Sequence, residues 1–361
     1  MKPRALAIVI GLVTVVLASS VAVRVLSELD WDPSVFVAFG EESLATREYA
    51  EERLGPVFLR QMQGHDGRFF FIQANDPWVA DPETNASVLD RPLYRSQRML
   101  YPVLAGGGGL FGPETIVWSM LVVNLIALGI GTWVTALIAI QMGGSPWWGF
   151  SFALNLGFIS EIIISGAGVV AAAAAFGAVL MFMRGRVSLG IALLALAALS
   201  REAMLIAAAG SAIWLWMEKR RRDAAVAAVV PGLAVLAWAV YLRTRIGEGS
   251  VVAQVQEIGF PFVGFFETLQ AWVGRPADFV TGVAMMLLFV LYSRRVLISR
   301  HLVGWAFLGF VLLGVVFTQQ VWRSLFDISR AVAPIITSFV LLVFLGSKTE
   351  TAAENVVVEP G

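Results

Sequence analysis

The stretch VSLGIALLALAALSREAMLIAAAGSAIWLWM, Val187 to Met217, lies between the basic pair Arg184/Arg186 and the basic run Lys219 to Arg222. Its reading decides how often the chain crosses a bilayer. Taken as one helix, it would hold Arg201 and Glu202 at mid-membrane, where ionised groups are costly, and would put the two basic clusters on opposite faces. Two short crossings that turn at Ser200-Arg201-Glu202 keep both clusters on the cytoplasmic face and move the Arg and Glu to the outer surface. The second reading is adopted.

The surrounding composition supports a chain built for lipid. Of 361 residues, 58% are hydrophobic and only 14% charged, and the formal net charge is zero, a balance that suits a polytopic all-α membrane protein and gives no reason to expect a nucleic-acid partner. The absence of cysteine excludes a thiolate nucleophile, an iron–sulfur cluster and a disulfide framework. With His65 and His301 as the only imidazoles, a histidine-rich metal site is not expected.

Scanning for spans of roughly 20 apolar residues, shorter where tilted or partial, gives about ten segments. They run Ala5 to Val23, Thr115 to Ile140, Trp147 to Ile164, Ala167 to Met183, Val187 to Leu199, Ala203 to Met217, Ala224 to Leu242, Phe279 to Tyr292, Leu302 to Phe317 and Ala331 to Leu345. The first exceeds the apolar core of a signal peptide and reads as an uncleaved anchor. Basic clusters at Lys2/Arg4, Arg184/Arg186, Lys219 to Arg222, Arg294/Arg295/Arg300 and Lys348 place both termini in the cytoplasm of a cell whose plasma (inner) membrane holds the chain. Residues 1–346 then form one transmembrane domain that includes an external loop over 24–114, and 347–361 form a short cytoplasmic tail expected to be disordered.

Three external regions carry the polar chemistry: Arg24 to Glu114, Arg243 to Asp278, and Gln319 to Arg330. They use arginine and no lysine, and arginine's planar fork suits phosphate oxygens. In the first loop, GHDGRFFFIQANDP (Gly64 to Pro77) reads as a short helix that begins at Gly67, is capped by Asp66 and ends at Asn75-Asp76-Pro77. Capping competes here with catalysis for the same carboxylate. Farther on, LDRPLYRSQRMLYP puts Arg91, Arg95 and Arg98 at i, i+4 and i+7 behind a second N-cap, Asp90, so that three cations share one face and call for an anion. Gly106 to Gly109 lack the Lys-Ser/Thr of a P-loop and read as a hinge. Arg323 and Asp327 have the spacing of a helical ion pair, and Ile258 to Trp272 reads as an aromatic helix in the membrane interface.

Four short motifs resemble those of bacterial GT-C glycosyltransferases. They are Gly64-His65-Asp66-Gly67-Arg68-Phe69-Phe70, Arg95-Ser96-Gln97-Arg98-Met99-Leu100-Tyr101-Pro102, Ser200 to Leu205, and Asp327-Ile328-Ser329-Arg330 with Pro334. The resemblance implies a GT-C-like helical fold and sugar transfer from a polyprenyl-phosphate carrier to a glycan, lipid or protein acceptor. It also implies Asp66 as the catalytic acid-base residue and Arg95, Arg98, Arg201 and Arg330 as contacts to the donor phosphate. Further substrate contacts are expected at His65, Asp76, Arg91, Tyr101, Glu161 and Glu202. The paired-acid form found in some branches is replaced by His65-Asp66, so a divalent metal is not favoured and no cofactor is expected. The chemistry agrees: such a transfer needs a base for the acceptor hydroxyl and cations for the departing phosphate, and a single carboxylate opposite that phosphate implies inversion. The glycines flanking Asp66 would leave room for the acceptor. Two other functions share these features, a transporter or flippase of a polyprenyl-linked substrate and a non-catalytic membrane scaffold. A transporter tends to show internal repeats and deep polar groups, whereas Asn124 is the one clear deep polar residue of this chain.

Overall fold

A computed structural model describes residues 2–247 and 257–345. The tail from 347 and part of the loop between Arg243 and Asp278 lie outside the described residues. The described chain is nearly all helical, and its one small sheet is a parallel pairing of Phe39 with Leu59 and of Gly40 with Arg60.

The first helix, α1 (Pro3–Glu28), packs antiparallel against α7 (Pro113–Gln141). Glycines make their approach close: a Cβ on Gly11 would lie 2.9 Å from the carbonyl oxygen of Gly129 and from Cβ of Trp133. Between them the first long loop folds into α2 (Leu44–Leu54), α3 (Gly67–Asn75), α4 (Pro82–Val88), α5 (Pro92–Arg95) and α6 (Leu100–Ala105). The tetraglycine then turns the chain into α7, with φ of +57°, +70° and +98° at Gly107, Gly108 and Gly109. These are left-handed values that favour glycine, and they make the hinge.

The third expected segment is not one helix. A 3₁₀ turn, Pro146–Gly149, leads to α8 (Phe150–Ala153) and α9 (Leu156–Ile163), and the break is held by Asn155. Its Oδ1 accepts the Gly157 N–H at 3.0 Å, while its Nδ2 donates to the Ala333 carbonyl at 2.8 Å. Next come α10 (Gly168–Met183), α11 (Val187–Ser200), α12 (Leu205–Met217) and α13 (Arg221–Ile246). The chain does break between α11 and α12, where Arg201 is extended at φ −153°, ψ 117°. The remaining elements are α14 (Val263–Ala271), α15 (Pro276–Ser299), α16 (Leu302–Val316), α17 (Gln319–Trp322), α18 (Leu325–Ala331) and α19 (Ala333–Leu345).

Four helices, α1, α7, α13 and α15, are long and apolar enough to cross a membrane, and the pair α18–α19, bent by 64°, makes a fifth if taken as one span. The apolar helices α10, α11, α12 and α16 have only 13 to 16 residues, about 20–24 Å at 1.5 Å per residue. That is short of a hydrocarbon core of about 30 Å.

The bundle has two distinct ends. At one, Arg4 shares a cavity with Arg184 and Arg186, Trp214 Nε1 donates to the Arg300 carbonyl at 3.2 Å, and Arg295 Nε donates to the Leu342 carbonyl at 3.1 Å. At the other, α13 is tied to the first loop through Trp238 Nε1 to the Ser96 carbonyl at 2.8 Å and Tyr241 Oη to the Trp78 carbonyl at 2.6 Å. Arg4, Arg184, Arg186, Arg295 and Arg300 thus gather away from the loop. In the aromatic stretch Ile258 to Trp272, Phe260 and Phe266 are exposed while Trp272 is buried, with its ring against Phe265 and Gly282. Gly282 has no side chain to exclude the indole.

Candidate functional site

The site is built on α3. Phe69, Phe70, Phe71 and Ile72 are buried, Phe71 edge-on to Phe39 at 5.6 Å and Phe70 edge-on to Tyr101 at 5.3 Å. This apolar anchoring fixes the start of α3 and the residue before it. The flanking glycines serve backbone packing and not, as expected, space for an acceptor. A Cβ on Gly67 would collide with the carbonyl oxygens of Ile164 and Val37, and one on Gly64 (φ +69°) with that of Ala38.

Asp66 stands at the N-cap position of α3, yet its side chain makes no capping hydrogen bond. The capping role is therefore excluded. Its carboxylate instead meets Arg95 Nη1 at 3.2 Å, Arg330 Nη2 at 3.2 Å and Arg98 Nη1 at 3.7 Å. Burial opposes ionisation of Asp66, but Arg330, Arg98 and Arg95 together outweigh it and hold the carboxyl well below the usual range.

The arginine face does not arise as the spacing predicts. Pro92 opens α5 and the helix closes after Arg95, so Arg91 and Arg98 lie outside it and no continuous stripe forms. Asp90 does not cap; it forks onto Arg95, with Nε to Oδ1 at 2.9 Å and Nη2 to Oδ2 at 3.0 Å. Arg95 also lies over the Phe69 ring, 3.9 Å from its centroid. Arg98 forks onto Glu202, with Nε to Oε2 at 2.9 Å and Nη2 to Oε1 at 2.8 Å. Much of the compensation for these cations therefore comes from the chain itself.

Behind Asp66 lies a second carboxylate, Glu161, almost fully buried. Its Oε1 joins Arg201 Nη1 at 3.0 Å to Arg330 Nε at 3.1 Å, and its Oε2 accepts the Gly168 N–H at 3.1 Å. Arg330 is thus shared between Asp66 and Glu161, and it reaches Asp327 as well, at 3.3 Å. Asp327 does not pair with Arg323: α17 ends at Trp322 and α18 starts at Leu325, so the i, i+4 spacing is not on one helix.

These groups open on a cavity of about 380 Å³, within the roughly 300–1,000 Å³ typical of small-molecule sites. Six arginines line it, Arg68, Arg91, Arg95, Arg98, Arg201 and Arg330, against four acids, Asp66, Asp90, Glu257 and Asp327. Buried nitrogens of Arg68 (Nε) and Arg91 (Nη1) have no partner among the described residues and remain as spare donors. Of the expected residues, Asp66, His65, Arg91, Arg95, Arg98, Arg201 and Arg330 line the cavity, while Glu161 and Glu202 stand behind its arginines.

Two expected residues lie elsewhere. Asp76 shapes its own loop, accepting the N–H groups of Ala80 at 2.7 Å and Asp81 at 2.9 Å. Tyr101 is buried and donates to the Met120 carbonyl at 3.0 Å while accepting from Asn124 at 3.1 Å. Sequence reasoning passed over Arg68, Tyr94, Glu257 and Gln320. Arg68, inside the Gly64 to Pro77 stretch, and Tyr94, between Arg91 and Arg95, lay within motifs already singled out, whereas Glu257 and Gln320 carried no signal. Among the described residues no three His, Cys, Asp or Glu side chains gather as metal ligands, and Asp66, Asp90 and Asp327 at the cavity are each paired with a guanidinium.

His65 sits against the Phe326 ring at 5.3 Å, and burial first, then Arg330, lower its pKa. The folded state therefore favours neutral imidazole. Its contribution is complete above the unfolded value near 6.5 and declines as pH falls below it. His65→Gln should flatten the loss of thermal stability between about pH 6.5 and 5. Equal slopes for parent and variant in a melting series across that range would refute this.

No protein-family model, no curated protein and no solved structure matches this chain.

Proposed function

We propose that the chain is an integral membrane glycosyltransferase that moves a sugar from a polyprenyl-phosphate carrier to an envelope acceptor. The observation that carries this reading is the convergence of Arg95, Arg98 and Arg330 on one carboxylate, Asp66, at a cavity with more arginines than acids. In the transfer, the acceptor hydroxyl oxygen attacks the anomeric carbon and its proton passes to Asp66. The bond from that carbon to the phosphate oxygen breaks, and polyprenyl phosphate leaves with the electron pair.

A carboxylate held by three guanidinium groups is a weak base, and a good general base has a pKa nearer the working pH. Donor binding resolves this conflict. The donor phosphate draws the arginine forks away from Asp66, so the carboxylate gains proton affinity in the complex that needs it. The arginines left behind stabilise the charge that develops on the leaving group. Membranes containing the chain should transfer label from a polyprenyl-phosphate-linked radioactive sugar to an endogenous acceptor. Binding of the lipid without any transfer would favour the transporter or scaffold reading.

The fork matters as well as the charge. Arg95→Lys and Arg98→Lys should each weaken donor use by roughly 10-fold or more, because an ammonium cannot hold phosphate oxygens in the bidentate way. Arg91→Lys should be better tolerated, since the ion pair Arg91 makes, to Asp90, is long at 3.8 Å and is not forked. Parental donor saturation curves in both variants would sink the phosphate assignment.

We read each of the ten apolar segments as one crossing, the broken and short ones included, with the Asp66 end outside. The buried Ser200 hydroxyl, bonded to the Ala167 carbonyl, is unsuited to report on this, whereas Ser87 and Ser188 are exposed. In this cysteine-free chain, Ser87→Cys should react with an impermeant thiol reagent on intact cells and Ser188→Cys should not. The reverse pattern would invert the topology.

A further inference from the structure

The end of the bundle away from Asp66 carries a second charged cavity, of about 790 Å³. Arg4 in the first turn of α1, together with Arg184 and Arg186 in the turn between α10 and α11, lies on its rim, and Ile8, Trp133, Leu137 and Ile140 supply an apolar wall. The three arginines differ from those of the first site. No ion pair joins any of them to a carboxylate among the described residues, whereas Arg95, Arg98, Arg201 and Arg330 each pair with at least one. Burial, then repulsion from Arg4 and Arg186, disfavours the charge on Arg184. Two segments of the chain thus hold like charges together with no carboxylate paired to them among the described residues.

The wall is the second observation. Ile8 is 50% exposed and Trp133 38% exposed beside the three arginines, and a tryptophan about two turns from the end of an apolar helix suits the boundary between headgroups and acyl chains. A free phosphate would satisfy the rim and leave this apolar surface bare. A lipid satisfies both.

We propose that this cavity binds one anionic phospholipid, its phosphate held by Arg4, Arg184 and Arg186 and an acyl chain lying along Ile8, Trp133 and Ile140. Guanidinium forks match phosphate oxygens, and basic pockets between membrane helices recognise anionic headgroups in this way. The bound lipid ties α1 to the α10–α11 turn. This site is independent of the sugar-transfer reading, since it shares no residue with the Asp66 cavity.

The test titrates phosphatidylglycerol into the purified full chain in detergent and follows its thermal midpoint. The midpoint should rise with phosphatidylglycerol, and neither phosphatidylcholine nor inorganic phosphate should reproduce the rise. The triple variant Arg4→Gln/Arg184→Gln/Arg186→Gln should lose it. The variant Arg221→Gln/Arg222→Gln/Arg294→Gln, which removes as many charges, should keep it. In parallel, phosphatidylglycerol with brominated chains should quench tryptophan emission of the parent more than that of Trp133→Phe. An equal response to phosphatidylcholine, or an undiminished one in the triple variant, would overturn the site, and the same shift with inorganic phosphate would reduce it to an anion site without a lipid. Should the triple variant fail to fold, the brominated lipid decides alone: identical quenching in parent and Trp133→Phe refutes the proposal.

Discussion

Asp66→Asn should abolish most sugar transfer, by a factor of roughly 10² to 10⁴, because an amide cannot take the acceptor's proton. The variant should still fold. Each arginine that Asp66 binds keeps another acid, Asp90 for Arg95, Glu202 for Arg98, and Glu161 with Asp327 for Arg330. The stability loss should therefore stay on the order of 1–3 kcal/mol, the scale of a hydrogen bond to a charged group. Its pH dependence has a definite sign. A carboxylate with a depressed folded pKa contributes in full above its unfolded value near 4 and loses that contribution only as pH falls further. The gap between parent and variant should thus be flat from about pH 5 to 8. Asp76→Asn is the control: it perturbs a loop outside the cavity and should lower stability while most activity remains. An active Asp66→Asn protein would remove the base from the proposed mechanism, and an inactive Asp76→Asn protein of normal stability would point to the other acid.

Arg330→Gln should show the largest loss of stability at the site. Arg330 is the one side chain that touches Asp66, Glu161 and Asp327, and its removal leaves Glu161, only 2% exposed, to Arg201 and one backbone N–H. Breaking a buried pair by deleting one partner costs roughly 3–5 kcal/mol, and the surviving Arg201 contact should hold the cost near the lower bound. Donor use should fall with it. Arg330→Lys should recover part of the midpoint but little transfer, since one ammonium cannot span carboxylates in divergent directions. A melting midpoint within a degree of the parent for Arg330→Gln would show that the Glu161 network does not need its shared cation.

Much of this architecture is legible in local pattern. The break at Ser200-Arg201-Glu202 follows from the cost of ions in lipid, a property of single residues, and the structure turns there. The hinge at Gly106 to Gly109 follows from the conformations open to glycine alone. The start of α3 after Asp66 was legible too, though for a reason that proved incomplete, because a residue at an N-cap position need not cap. Segment lengths were less legible. A run such as Trp147 to Ile164 is apolar on average, so mean hydropathy shows no break where Asn155 bonds to a helix that arrives more than 170 residues later.

The site divides the same way. Residue type and short spacing marked the arginines around Arg95 and Arg98 as a group in want of an anion, while Asp66, Arg201 and Arg330 were singled out as site residues through the resemblance of their short motifs. Which acid balances which cation was decided only by the tertiary structure. Arg98 with Glu202 and Arg330 with both Asp66 and Glu161 are partnerships across more than 100 residues, and no local period encodes them. Ion pairing depends on distance in space, and that distance is set by the packing of α3, α9 and α18 around the turn at Arg201.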